Sequence, residues 1–236
     1  MNFLEAKWEN LIMANYAVDP NVLIPYLPKG VELDSFDGKF YVSLVGFMFN
    51  KTRIFKFPIP YLGSFEEINL RFYVIRKHEG KIKRGVVFIN ETVPYAPVAW
   101  MANYLYKEHY TAVKTKHRWH LTEDLKTIDY SWKKNKKWNN ISVNAHSIAN
   151  TMKAGSVEAF IFEHYFGYTR VNQHKTLEYR INHPSWKINE VIDYNIDCDF
   201  EKMYGPDFAF LNGQQPDNVM LAEGSDISVK WKRIAI

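Results

Sequence analysis

The sequence has a single cysteine, Cys198, which excludes an internal disulfide framework and fits a reducing compartment. It lacks an apolar run long enough to span a bilayer. The most apolar stretch, FYVSLVGFMF (40–49), is too short and is interrupted by Ser43 and Gly46. The opening residues, MNFLEAKWENL, show no basic segment followed by an apolar run, so no signal peptide is expected. No Ser- or Gly-rich linker and no fixed-period repeat divides the chain. Nor does one sign of charge dominate. Thirty Lys and Arg stand against 26 Asp and Glu, a net charge of +4 that is too balanced to point to nucleic acid. These absences predict a soluble, cytoplasmic protein forming one domain over residues 1–236, with no membrane segment.

What the sequence does have is aromatic residues, 16% of the chain against 24% charged residues, an excess that leans toward sheet because strands favour aromatic side chains. A chain of 236 residues buries roughly 70% of its unfolded surface and needs no disulfide or metal to hold it. Residues 40–49 and 86–89 are nearly all apolar, as strands covered on both faces are. Period-two alternation marks Ile128, Tyr130 and Trp132, then Ile141, Val143 and Ala145, with Lys133–Lys137 between them as a hairpin loop. The same alternation recurs at Leu177, Tyr179 and Ile181, at Ile192, Tyr194 and Ile196, and at Ile227, Val229 and Trp231. Helices are few. Asp19-Pro20 predicts a short one that Pro25 and Pro28 limit, Pro97 opens a second running to about Tyr106, and Ser156 caps a third that Gly167 ends. The third carries Phe160, Ile161, His164 and Tyr165 as its buried stripe. The fold class is therefore α+β, dominated by a large antiparallel sheet curled or closed so that it exposes no long edges.

The segment most informative about function runs from Phe65 to Val74 (FEEINLRFYV). As a strand it puts Ile68, Leu70, Phe72 and Val74 on one face, and Phe65, Glu67, Asn69, Arg71 and Tyr73 on the other. An acid, an amide and a guanidinium in a row, bracketed by aromatics, suit the wall of a partly enclosed cavity; the alternative is a solvated face with incidental charges. If the site is enclosed, Glu67 needs a cation within reach, Arg71 or another arginine, because an unpaired buried carboxylate takes up a proton instead. Removing that arginine would then cost more than ~1 kcal/mol.

This segment, F-x-E-x-N-x-R-x-Y-V, resembles the signature strand of the YqjF-like family in the acetoacetate decarboxylase-like superfamily. Residues 23–49, 84–94 (RGVVFINETVP), 102–110 (ANYLYKEHY), 155–169 and 182–186 (NHPSW) agree in the same order. The resemblance implies an antiparallel sheet wrapped into a cone or barrel around a central cavity. The decarboxylase uses a Schiff-base lysine with a second lysine beside it in a Tyr-Pro-Lys-Lys stretch, which aligns here with Glu108-His109-Tyr110-Thr111. Tyr110 thus stands in the nucleophile's place, and neither lysine is present. The superfamily's glutamate on the signature strand is matched by Glu67, while a second one falls near Tyr41 and is not matched. Lys107 and Lys114 lie close in sequence. A Schiff-base lysine must be kept neutral, however, and Glu108, directly after Lys107, would favour the charged form.

Other signals read as structural. His117 and His120 fall on a strand with no carboxylate cluster, so no metal is expected. Lys133–Lys137, with Trp132 and Trp138, reads as a hairpin tip rather than a nucleic-acid site. His109 reads as a cavity wall or a structural histidine. Glu163 either pairs with a basic residue or faces the cavity. His183-Pro184-Ser185-Trp186 is a turn with a packed tryptophan, and the acids flanking Cys198 make it a poor nucleophile. The predicted function is binding of a small organic, acid-like molecule in a barrel cavity, with or without catalysis but not by Schiff-base decarboxylation. Glu67 is the candidate acid or base, Asn69, Arg71, Tyr73 and Tyr110 are the ligand contacts, and no cofactor is expected. The other class of function is a non-catalytic structural or partner-binding protein whose barrel is filled by its own side chains.

Overall fold

A computed structural model describes residues 2–231 and 234–236. The strands are β1 (Asn2–Val18), β2 (Glu32–Leu33), β3 (Phe40–Ile54), β4 (Phe57–Pro58), β5 (Phe65–His78), β6 (Lys81–Val93), β7 (Tyr110–Ala112) and β8 (Thr115–Leu121). They continue as β9 (Leu125–Lys134), β10 (Lys137–Thr151), β11 (Phe166–Asn172), β12 (Lys175–Asn182), β13 (Lys187–Asp197), β14 (Asn218–Lys230) and β15 (Ile234–Ala235). The helices are α1 (Pro20–Leu23), α2 (Ala96–Tyr106), α3 (Val157–Phe162) and α4 (Phe200–Tyr204). Among the described residues no helix is long and apolar enough to cross a membrane.

All these strands join one sheet, whose path runs β12-β11-β6-β5-β3-β1-β14 and then closes, because β12 also pairs with β14 at Ile181↔Val229. Closure removes the free edges that a curled sheet would expose. From β14 the sheet continues as an arm, β13-β10-β9-β8. The expected antiparallel pairing holds except at two places, where β6 runs parallel to β7 and to β11. Parallel neighbours need a crossover connection, and α2 supplies it between β6 and β7.

A closed ring with an arm folded against it makes two cores. Ile68, Leu70, Phe72 and Val74 of β5 point outward and pack with Ile128, Tyr130 and Trp132 of β9 and Ile141, Val143 and Ala145 of β10. The arm comes close because Gly46 of β3 has no side chain; a Cβ there would lie 3.1 Å from both Ile141 and Tyr130. The inward faces of the ring strands form the second core, with Trp8, Met13, Phe47, Phe49, Phe65, Tyr73, Phe88, Tyr179 and Met220.

The local signals act as read. The Asp19 side chain accepts from Asn21 N at 2.8 Å at the start of α1, and Ser156 Oγ accepts from Ala159 N at 3.3 Å at the start of α3. The lysine loop is a tight hairpin whose central residues, Asn135 and Lys136, have φ of 46° and 69°, the backbone that such turns require. Two expectations fail. Helix α3 stops at Phe162, and Gly167 lies inside β11 rather than ending a helix. On β13, Ile196 packs against the core opposite Ile141, but Tyr194 is partly exposed and Ile192 is exposed, because the pairing shifts between Asp193 and Val191 and breaks the alternation there.

The ring is held at β5, β6, β11 and β12 by one buried carboxylate. Glu178 accepts from Arg76 Nη1 at 2.7 Å, from Lys83 Nζ at 2.5 Å and from Tyr168 OH at 3.2 Å. Glu178→Ala strands two mostly buried cations and should cost about 3 kcal/mol, a fall in Tm of roughly 6–12 °C for a chain of this size. A loss below ~1 kcal/mol, the usual value for an exposed pair, would contradict this role for Glu178.

Candidate functional site

Inside the ring, next to α2, lies a cavity of about 100 Å³, the room of a few waters at ~30 Å³ each. Its apolar wall includes Trp8, Phe47, Phe49, Phe65 and Phe88, and α2 roofs it with Val98, Met101, Ala102 and Tyr106. Its polar wall is Glu67, Asn69, Arg71, Glu91, Glu108 and Tyr110. The strand alternation of β5 therefore brings Glu67, Asn69 and Arg71 together facing one concavity. Tyr73 shares that face but does not reach the cavity. Its hydroxyl is 2.7 Å from Ser43 Oγ, and its ring packs on Phe160 and His164.

Tyr110 enters from β7. The Asn103 side chain on α2 holds the Tyr110 backbone on both sides, donating to its carbonyl at 3.0 Å and accepting from its N–H at 2.6 Å. The Tyr110 hydroxyl donates to Glu67 Oε2 at 3.2 Å, and Asn69 Nδ2 donates to Glu67 Oε1 at 3.1 Å. The expected ion pair is absent: among the described residues no cation stands within ion-pair distance of Glu67. Only neutral donors meet its carboxyl, and burial pushes it up to about 7 against the pull of Asn69, Tyr110 and the more distant Arg71.

Two cavity residues were not recognised from sequence. Glu91 and Glu108 are both buried and line the cavity. Glu91 sits on β6 opposite Asn69, and burial, together with Glu108 and Glu67, raises it well above the usual carboxylate range. Glu108 follows Lys107, whose φ of 60° turns the chain inward at the end of α2. It accepts from Thr169 Oγ1 and, at 2.8 Å, from Tyr179 OH, and burial lifts it to about 7. Gly167 makes room for that tyrosine, since a Cβ there would sit 2.1 Å from its ring.

Several of these groups are left unsatisfied. Asn69 Oδ1, Arg71 Nε and Glu91 Oε2 have no hydrogen-bond partner. The half-buried Arg71 reaches the Met13 thioether, from Nη2 at 3.4 Å, and the face of Tyr73 at 5.7 Å. Among the described residues no lysine lines the cavity. Lys107 lies outside it, with its ammonium 5.2 Å from the Tyr104 ring, and Lys114 is exposed.

The remaining sequence signals resolve locally. His117 Nδ1 pairs with Glu66 at 2.5 Å on the far side of the sheet, and Glu163 accepts from Tyr165 OH at 2.9 Å. Trp186 is buried and donates to Ser225 Oγ at 2.8 Å. His109 is exposed and lies outside the cavity lining. Among the described residues no three His, Cys, Asp or Glu side chains form a group that could hold a metal ion.

A ring of strands around a cavity roofed by one helix defines the acetoacetate decarboxylase-like class of fold. The enduracididine biosynthesis enzyme MppR, solved in complex with pyruvate, superposes with a TM-score of 0.68 over 100% of this chain and 91% of its own, at 12% identity. Acetoacetate decarboxylase from Legionella pneumophila superposes with a TM-score of 0.65 over 99% and 87% of the two chains, at 10% identity. Such identities establish a shared fold alone. By sequence, residues 5–226 match the family DUF2071, described as "Uncharacterized conserved protein (COG2071)", and the chain belongs to it. The Bacillus subtilis protein YqjF, itself described as uncharacterized, is 32% identical over 88 residues. That match spans 37% of this chain and 35% of YqjF, about a third of the relative's length.

The raised acids make stability depend on pH. Glu67 and Glu108 titrate near 7 in the folded chain against 4.5 for an unperturbed glutamate, so between those values the folded state holds more protons than the unfolded state. The contribution of these two acids should therefore fall as pH rises from about 4.5 through about 7, and the raised Glu91 should extend that loss to higher pH. His109, His164 and His183, held below the usual imidazole range by burial, act in the opposite direction. Thermal unfolding at steps across this window should therefore show the Tm of Glu67→Gln rising steadily relative to that of the unaltered protein. A difference that stays constant over the same window would contradict this state of Glu67.

Proposed function

We propose that the cavity binds a small organic acid, with its carboxylate on Arg71. The observation that carries this reading is the guanidinium itself. It is half-buried, its Nε is without a partner, and among the described residues no carboxylate lies within ion-pair distance of it. A cation desolvated without a counter-charge is costly, and a carboxylate is the anion whose geometry fits a guanidinium fork. MppR, on a similar ring, has been solved with pyruvate bound, which supports an acid of that size.

Glu67 is the candidate for proton transfer to or from the ligand, since a carboxyl titrating near neutrality can both hold and release a proton. Tyr110 orients it. A hydroxyl cannot form a Schiff base, and among the described residues the cavity lining offers no lysine in its place, so chemistry here would proceed by acid–base catalysis without a covalent imine. The single cysteine supports placing this activity in the cytoplasm. The Lys133–Lys137 hairpin supports a partner other than nucleic acid, because Lys133 already caps the Trp138 ring at 5.8 Å, as does Lys116 at 4.5 Å.

Thermal unfolding with one- to five-carbon carboxylates tests the reading. A ligand at a hundred times its Kd should add ~2.7 kcal/mol. Arg71→Met should abolish that gain without lowering the Tm of the unliganded protein by more than an exposed charge would, since the half-buried cation it removes pairs with no carboxylate among the described residues. A panel in which no acid raises Tm, or a gain that survives in Arg71→Met, would contradict it.

A further inference from the structure

We infer that the acid this cavity selects carries a hydrogen-bond donor, a hydroxyl or an ammonium group, within a few bonds of its carboxylate, and that Asn69 is the residue that reads it. The inference rests on the acid-binding role of Arg71 and adds the identity of the ligand's second polar group. It comes from which polar atoms the chain satisfies and which it leaves open.

Glu67 uses both of its oxygens as acceptors, one for Asn69 Nδ2 at 3.1 Å and one for Tyr110 OH at 3.2 Å. The bond from Asn69 Nδ2 fixes the amide, so its other atom, Oδ1, must point elsewhere. Asn69 is 1% exposed, and Oδ1 has no partner. An amide oxygen only accepts, so what it lacks is a donor. A ligand oxygen with no hydrogen, such as a ketone, leaves it unsatisfied, and an unmade bond at a buried acceptor is expensive.

Glu91 lies directly across the strand pair from Asn69 and is 2% exposed, with Oε2 also open. Opposed residues bring their Cβ atoms to about 5 Å, so one donor-bearing group can sit between them. Arg71 is two residues along the same face, roughly 6.5 Å further on, and it needs an acceptor. The open atoms therefore form an ordered pair, a donor at one end and an acceptor site at the other. A compact molecule with a carboxylate beside a hydroxyl or ammonium group fills both, and a cavity of about 100 Å³ limits it to a few non-hydrogen atoms.

Four acids with one three-carbon skeleton isolate this second group: lactate, alanine, pyruvate and propionate carry a hydroxyl, an ammonium, a carbonyl and no polar group at carbon 2. Their affinities for the whole protein, measured by calorimetry at pH 8 with both enantiomers of the chiral pair, decide the matter. The expected result is that lactate or alanine binds at least tenfold more tightly than both pyruvate and propionate, the ratio of the two naming the donor. Asn69→Leu should erase that ratio, bringing lactate and alanine to the affinity that the same variant shows for propionate. Pyruvate or propionate binding as tightly as lactate and alanine overturns the inference and leaves the acid site standing. Failure of all four overturns the acid site and this inference with it. The comparison on the unaltered protein stands even if the variant does not fold.

Discussion

Closing the sheet into a ring commits every inward side chain to an interior from which water is largely excluded, and the strongest consequence falls on three carboxyl groups. Glu67, Glu91 and Glu108 share one cavity wall with a single guanidinium that pairs with none of them. Burial pushes all three upward, and their mutual repulsion adds to it at Glu67 and Glu91. The surrounding structure copes by supplying neutral donors. Asn69 and Tyr110 serve Glu67, and Thr169 and Tyr179 serve Glu108. A glycine at 167 and the two-way clamp of Asn103 on the Tyr110 backbone exist to place those donors.

The contrast with Glu178 shows how differently the ring treats a carboxylate it uses for structure. There, hydrogen bonds from Lys83 and Arg76 outweigh the effect of burial and hold the group below the usual range. The same barrel thus holds Glu178 fully paired, while among the described residues Glu67, Glu91 and Glu108 have no cation within ion-pair distance, beside a guanidinium that pairs with no carboxylate. Asn69 Oδ1, Arg71 Nε and Glu91 Oε2 stand without partners at one cavity, and these are the atoms that the proposed acid-binding role would use.

Much of this was legible in the sequence because β5 has no irregularity over its informative stretch. Period two alone separates Ile68, Leu70, Phe72 and Val74 from Glu67, Asn69 and Arg71, and the two sets do face different cores. Glu91 was hidden by a bulge. The pairing passes from Leu70↔Asn90 to Arg71↔Phe88, skipping Ile89, and one extra residue reverses which face every later side chain takes. Counting by twos from Phe88 therefore places Glu91 on the wrong side. Glu108 follows a helix end, where a single left-handed residue sets the direction. Strand β1 was missed altogether: Glu5, Lys7 and Glu9 obscure its apolar positions, and irregular pairing around Asn10 interrupts its period. Tyr73 obeys the alternation yet ends outside the cavity, because periodicity gives a face and not a depth.

Among the described residues the polar lining of the ring holds no lysine, and neutral donors surround acids poised near neutrality. Carbon-13 NMR of the glutamate side-chain carboxyls, followed through a pH titration and assigned with Glu67→Gln and Glu108→Gln, tests that state most directly. The expected result is two carboxyls that titrate near 7, each lost in its own variant, with Glu91 also holding its proton well above the usual carboxylate range. A titration in which every glutamate is ionised by pH 5 would contradict it.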